Sequence, residues 1–451
     1  MISAKKVLLV HPEISHSKYN FNGVIENEPL ELEYIVPILR ANNYSSDIFD
    51  VQRERISLEQ KLSEFKPDAI YICGRIKQKN FMIDHVKISR KVCPDSIIIV
   101  GGLHAQVNFQ DFFIDELDYV LTTFDVFKIT DLIKGENVSE ISGICYKKNN
   151  EWIANKVEPF DINRLPHPDR TYFYNHLDRY RYLELAPCAQ IRTAYCCAFK
   201  CNFCYRNLTN CGKYVYRNIE DVVDEIEEIN CENVYFIDDD FLLNVPRLKK
   251  FIQLIKEKNI RKKYVCFGRV DFIIKHKELM KELKEIGFYY VLVGLEATTD
   301  KYLNNYHKLI KVDDNIECVN FMNEIGINIM GMFITDLDFT KKDFDNLYKW
   351  IKNNNLNHFA VSIFTPIPGT KSYEEYKDRL ITVNSEHYDY FHVVATPQNI
   401  SIKKYYLYYR ILCIKLFLLA KKKGVYDFLD YGYYIKTMLK TIFHINGDDN
   451  E

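Results

Sequence analysis

Cys197-Ala-Phe-Lys-Cys201-Asn-Phe-Cys204 stands a few residues beyond Gln190 to Thr193, a short stretch that reads as a β-strand. Three thiols in this C-x3-C-x2-C spacing can each take one iron of a four-iron, four-sulfur cluster, which otherwise uses four protein ligands. The fourth iron then keeps an open position, and chemistry would start there. A closed zinc site is the plainer alternative, with Cys188 or Cys211 as fourth ligand and Cys196 blurring the register. Zinc sites usually repeat a C-x2-C pair, and Cys201 to Cys204 is not repeated here. Thirteen cysteines spread through 451 residues read as reduced thiols rather than a disulfide framework. Others, such as Cys73, Cys266 and Cys413, lie in apolar stretches and read as packing residues.

Outward from the loop, the chain alternates strands and helices. Strands are expected near Gln190 to Thr193, Val234 to Ile237, Tyr264 to Phe267, Tyr289 to Val293, Ile327 to Ile334 and Phe359 to Phe364. Helices fall between them at Ile219 to Ile229, Arg247 to Lys258, Lys277 to Ile286 and Phe344 to Ile351. Six parallel strands with right-handed crossovers can curl into part of a barrel, whose active site lies at the carboxyl ends of the strands. The cysteine loop follows the first strand and so lands on that rim.

Towards the amino terminus, Val7 to Val10, Ser46 to Phe49, Ala69 to Cys73, Ile97 to Val100 and Tyr119 to Leu121 give a doubly wound α/β pattern. A helix over Leu32 to Ala41 should bend at Pro37. Gly101-Gly102-Leu-His104-Ala105 follows a strand, so its glycines can bring backbone close to a ligand or simply make a tight turn. Ile141 to Asp161 reads as a hairpin-like connector, and Leu165-Pro-His-Pro168-Asp-Arg170 as an extended linker. Beyond Pro366-Ile-Pro-Gly369-Thr370 the pattern turns helical, aromatic and basic. It reads as a cap across the open side of the barrel, or alternatively as a membrane-surface or polymer-binding face. Asn446 to Glu451 reads as a frayed tail.

Composition narrows the function. Net charge is -2, from 60 basic and 62 acidic side chains, which leaves no electrostatic footprint for nucleic acid. The apolar run at Val7 to Val10 is too short for a signal peptide, and Ile411 to Ala420 is interrupted by Lys415, so no transmembrane segment and a cytoplasmic location are expected.

With these motifs in order, the chain resembles the radical S-adenosylmethionine (SAM) superfamily, in the branch with an amino-terminal cobalamin-binding domain. The resemblance is carried by the cysteine loop with Phe203, Phe236-Ile-Asp238-Asp239-Asp-Phe241, Arg269-Val-Asp271, Gly294-Leu-Glu296-Ala297, the Pro-Ile-Pro-Gly-Thr segment, the Pro-rich linker and the Gly-Gly-x-His-Ala turn. It implies a Rossmann-like cobalamin-type domain at 1–140, a connector at 141–180, a partial (β/α)6 barrel at 181–376 and a helical cap at 377–451. By the same resemblance Cys197, Cys201 and Cys204 ligate a 4Fe-4S cluster and Asp238 or Asp239, Arg269 and Glu296 hold SAM. Gly101, Gly102 and His104 would then face a cobalamin.

The implied reaction is reductive cleavage of SAM to a 5'-deoxyadenosyl radical, followed by methyl transfer to an unactivated carbon. The alternatives are a rearrangement, cyclisation or oxidation without methyl transfer, or a non-enzymatic redox sensor. A flavodoxin or ferredoxin would supply electrons. Substrate could be a small molecule, a peptide or a lipid. The chain departs from the pattern in three places. The Asp-x-His-x-x-Gly motif of one cobalamin family is missing, and neither His11-Pro-Glu nor Ser15-His16-Ser supplies it. Thr122-Thr123-Phe124-Asp125 replaces a glycine- and glutamate-rich turn, and Ile334-Thr-Asp336-Leu-Asp338 another glycine-rich one.

Overall fold

A computed structural model describes residues 5–14, 24–425 and 427–428; Ser15-His16-Ser and the tail at 446–451 lie outside the described residues. Seven strands form the first sheet: β1 (Lys6–His11), β2 (Ser45–Asp50), β3 (Ala69–Cys73), β4 (Ile97–Gly101), β5 (Tyr119–Leu121), β6 (Ile144–Lys148) and β7 (Glu151–Ala154). Their order is β2-β1-β3-β4-β5-β6-β7, with the first five parallel and the last two antiparallel. The strand order reverses between β1 and β3, where sheets of this kind take their ligands. Parallel strands covered on both faces must be apolar on both. Accordingly β3 is buried throughout, with Tyr71 and Ile99 in one core and Ile70 and Val100 in the other.

Asn149 (φ 52°) and Asn150 (φ 65°) make the left-handed two-residue turn that joins β6 to β7. The hairpin therefore extends the first sheet, and the first unit runs to Ala154 instead of ending at 140.

The helix expected at Leu32 to Ala41 is two segments, Leu30–Glu33 and Ile35–Ala41. Pro37 has no N–H for the carbonyl of Glu33 and crowds it, so the helix breaks one turn upstream. That carbonyl instead accepts from the Asp169 N–H at 3.0 Å, in the linker. Arg170 next to it is buried, donating to Glu28 (2.9 and 3.0 Å) and Glu225 (2.7 Å). Glu225 also pairs with Arg217. The linker is thus a buried ionic weld between the two sheets rather than a spacer. Losing one member would strand charges out of water, at about 3–5 kcal/mol.

The second sheet contains β8 (Cys188–Ile191), β9 (Asn233–Phe236), β10 (Lys263–Gly268), β11 (Phe288–Glu296), β12 (Asn328–Thr335) and β13 (His358–Ile363), all parallel and in sequential order. It is the expected partial (β/α)6 barrel. Side chains alternate along each strand. Val234, Phe236, Val291 and Phe333 pack outward with the helices, while Tyr235, Leu292 and Met330 form a separate inner cluster.

The carboxyl-terminal region differs from the expected helical cap. Residues 377–400 are largely irregular and cover the free edge of β13, where the Ile363 N–H donates to the Tyr390 carbonyl at 2.7 Å. The helix Ile402–Lys422 lies against the outer layer beside Lys341–Asn353, with Tyr405 bonded to Thr335 and Tyr409 to Val361. It leaves Leu407, Ile411 and Leu418 exposed. Among the described residues, no helix is long and apolar enough to cross a membrane.

Candidate functional site

The cysteine loop is fastened at its base before it reaches the first thiol. Asp238, fully buried just past β9, accepts from the N–H groups of Thr193 (2.7 Å) and Ala194 (2.9 Å) and from the Thr193 hydroxyl. Ala194–Tyr195 then pairs antiparallel with Val215–Tyr216, closing the loop into a lobe. Cys196 takes a left-handed conformation (φ 65°) and is buried, while Cys197 beside it keeps accessible surface.

At the far side Asn202 bonds to both flanks of the rim. Its side chain donates to the Asn305 carbonyl (2.9 Å) and its carbonyl accepts from Ser372 (3.1 Å). Phe203 sets its ring edge-on to Tyr306, which stacks on Phe364 and donates to Asp336 at 2.9 Å. Asp336, in the departure after β12, is therefore engaged in holding the loop's aromatic.

Cys197, Cys201 and Cys204 are all partly accessible. Cys188 is buried in the inner barrel cluster and Cys211 donates to the Val157 carbonyl, so neither stands as a fourth ligand. Among the described residues no three His, Cys, Asp or Glu side chains converge on a single-ion site. A four-iron cluster asks for something else, three thiolates each on its own corner.

Burial pushes the Cys197 thiol up to about 12 and Cys204 to about 11, so each needs a cationic partner to ionise. Cations stand beside two of the three thiols, Arg206 acting on Cys204 and Arg269 and Lys308 on Cys201, whereas the charged side chains acting on Cys197 include Asp239 and Asp240. Cationic neighbours on this loop fit a cluster that is anionic once its thiolates are bound.

The rim carries the other expected residues in pairs. Asp239 pairs with Arg206 at 3.0 Å. Arg269 forks onto Asp271 (3.0 and 3.1 Å) and lies 3.5 Å over the Phe199 ring of the cysteine loop. Glu296 holds Lys308 at 2.9 Å from a left-handed backbone (φ 57°), strained for a residue with a Cβ. Gly294 makes room for this pair, since a Cβ there would stand 2.3 Å from Glu296 Oε1.

Sequence reading passed over two groups. Lys308 carries no motif of its own and is recognisable only through the fold. Asp240 was in view as the third acid of its run. Its Oδ2 is buried without a hydrogen-bond partner, and burial pushes its carboxyl up to about 7. An orphaned acid amid Arg269, Asp271 and Lys308 suits the ammonium of a bound amino acid moiety.

Facing this rim are the strand ends of the first sheet. Gly102 (φ 90°) packs on Gly74, where a Cβ would meet the Gly74 carbonyl at 2.7 Å; Gly101 leaves its space to the Tyr71 hydroxyl. His104 is buried, its Nε2 bonded to Asp111 at 2.8 Å. Between the sheets, Glu31 receives the Cys73 thiol (3.3 Å) and Arg192 (3.8 Å), and Tyr195 stacks on Phe124 at 3.7 Å. Glu31 and Tyr390 keep accessible side-chain surface amid dense protein, and Arg75 acts on both and on Tyr235 inside the barrel. These groups lie where the two units meet.

Residues 191–351 match the model of the Radical SAM superfamily. Over 417 residues the chain is 25% identical to the hopanoid C-3 methylase of Methylococcus capsulatus, covering 89% of this chain and 78% of that one. It is 23% identical over 464 residues to an uncharacterized methyltransferase of Pyrococcus horikoshii, covering 98% of each. Among solved structures it superposes on TsrM from Kitasatospora setae, a radical S-adenosylmethionine methyltransferase, with TM-score 0.67 at 16% identity over 83% of this chain and 78% of that one. It also superposes on the cobalamin-dependent enzyme OxsB, with TM-score 0.66 at 17% identity over 83% of this chain but only 55% of that one. The chain is a radical SAM superfamily enzyme. Its fold joins a Rossmann-like amino-terminal unit to the radical SAM barrel.

Proposed function

We propose that this enzyme is a cobalamin-dependent methyltransferase acting on an unactivated carbon. The observation that carries this reading is the meeting of the two units: the cysteine lobe on the barrel rim faces the switch-point end of the first sheet, joined to it by Arg192 with Glu31 and Tyr195 on Phe124. Methylase relatives that align along most of the chain support it.

Cys197, Cys201 and Cys204 would hold the 4Fe-4S cluster, which when bound supplies the electron that splits SAM into methionine and a 5'-deoxyadenosyl radical. Arg206, Arg269 and Lys308 offset the thiolate charge. Asp240 receives the SAM ammonium, while Glu296, fixed by Lys308, meets its ribose or carboxylate side. Asp238 acts as a positioning residue through Thr193 and Ala194, and Asp239 through Arg206. Gly74, Gly101 and Gly102 pack closely within their own unit, and a cobalamin, which would supply the methyl-carrying chemistry, would lie beyond them at the strand ends. The chain has no Asp-x-His-x-x-Gly motif to offer it an imidazole. Reduced thiols suit a cytoplasmic enzyme served by a flavodoxin or ferredoxin.

The test is anaerobic reconstitution with iron and sulfide, then SAM turnover with and without hydroxocobalamin. S-adenosylhomocysteine should form together with 5'-deoxyadenosine only when cobalamin is present. 5'-Deoxyadenosine alone under both conditions would sink methyl transfer and leave radical chemistry standing.

A further inference from the structure

The inner wall of the barrel restricts what the enzyme can act on, granted the active site assigned above. From floor to rim, the inward positions of β9 to β13 include Ile237, Phe267, Leu292, Met330, Met332 and Ala360, and none carries a charge. Ile237, Phe267, Met332 and Ala360, towards the carboxyl ends, keep accessible surface, so the space beneath the rim is reachable and apolar. The rim cations named here are already paired: Arg269 with Asp271, Lys308 with Glu296, Arg192 with Glu31.

The floor is different again. Tyr290 donates to the Glu184 carboxylate (2.9 Å) and meets His358 Nε2 at 3.0 Å, closing the barrel with groups that satisfy one another. Above them the Tyr182 hydroxyl is buried with no partner, in contact with the rings of Tyr235 and Tyr290. An unbonded hydroxyl in an apolar cluster costs about 1–3 kcal/mol until something bonds to it.

Magnitudes then decide. An ionised substrate group placed on this wall would lose its hydration without a counter-charge, at several kcal/mol. A peptide fares poorly too, since the strand N–H and carbonyl groups are consumed in the ladders and each unbonded amide costs about 1–3 kcal/mol. We infer that the substrate is an uncharged, largely apolar small molecule that enters the barrel and carries a single neutral polar group for Tyr182. Of the three classes left open by the sequence, charged metabolites and peptides drop out.

The test needs no knowledge of the natural substrate. Reconstituted holo-protein is titrated with N-phenyl-1-naphthylamine and with 1-anilinonaphthalene-8-sulfonate, the same ring frame with one anionic group added. The neutral dye should bind at a single site at least about tenfold more tightly, a difference of about 1.4 kcal/mol. Met332→Glu should weaken it by about tenfold or more, and so should Ala360→Trp, which fills the space without adding charge. Leu407→Glu, on the outer helix, should change nothing. Cluster absorbance and melting temperature report folding, and if Met332→Glu unfolds, Ala360→Trp decides. Equal affinity for the two dyes, or neutral-dye binding indifferent to Ala360→Trp, would overturn the inference. Dye binding does not depend on which products SAM yields, so this result and the methyl-transfer result fail separately.

Discussion

Both sheets repeat the same βα unit, yet the first is open with helices on both faces and the second curled around an inner cluster of its own. In the first, helices cover both faces, so β3 and β4 are apolar on both sides and ligand space exists only beyond the strand ends. In the second, helices cover one face, and the other turns onto itself with Tyr235, Leu292 and Met330 inside. Strand-end polarity follows suit. His104 is bonded within its own unit, whereas Asp240 on the barrel rim keeps one carboxylate oxygen buried without a partner. Curling a sheet converts one of its faces from core into site.

That contrast breaks most completely at the cysteine lobe. Cys201→Ala should remove the cluster absorbance and lower SAM cleavage by at least on the order of 10³-fold, with the fold unchanged by circular dichroism. Arg170→Met should uncouple the two units by leaving Glu28 and Glu225 buried without their cation, costing about 3–5 kcal/mol. Chemical denaturation would then show two transitions in place of one.

Glu296→Ala strands the buried Lys308 and should cost about 3 kcal/mol while raising the KM for SAM. Glu296→Gln keeps a hydrogen bond and should recover part of both. Acid sensitivity separates the sheets as well. Burial holds His358, at the barrel floor, down to about 4 from 6.5. Below pH 6.5 the unfolded chain takes up a proton that the folded one refuses until about 4, so stability falls across that window, by up to about 3 kcal/mol. Melting curves of His358→Gln should lack this slope. The smallest effect is expected in the first sheet: His104→Ala should cost about 1 kcal/mol and leave SAM cleavage as it was.

Strand positions in both sheets were legible because short apolar runs between turn residues leave few other readings, and the ends moved by only one to three residues. β8 ends two residues before its expected end because Thr193 is drawn off by Asp238. Three features needed the tertiary structure. The 144–154 hairpin looks like a free connector until β5 is beside it, the linker's Arg170 looks exposed until three acids surround it, and 377–400 carries helix-forming residues that an unpaired strand edge recruits instead.

Taken alone, the sequence determined the cluster loop, the two βα repeats and the rim residues Asp238, Asp239, Arg269 and Glu296, because ligand spacing and strand periodicity are local properties of a chain. Folding alone decided that those acids are all engaged while Asp240 keeps an unpartnered oxygen, that Lys308 belongs with Glu296, and that the inward strand positions beneath the rim are uncharged. Those are facts about residues tens of positions apart in sequence, and only burial and distance in three dimensions fix them.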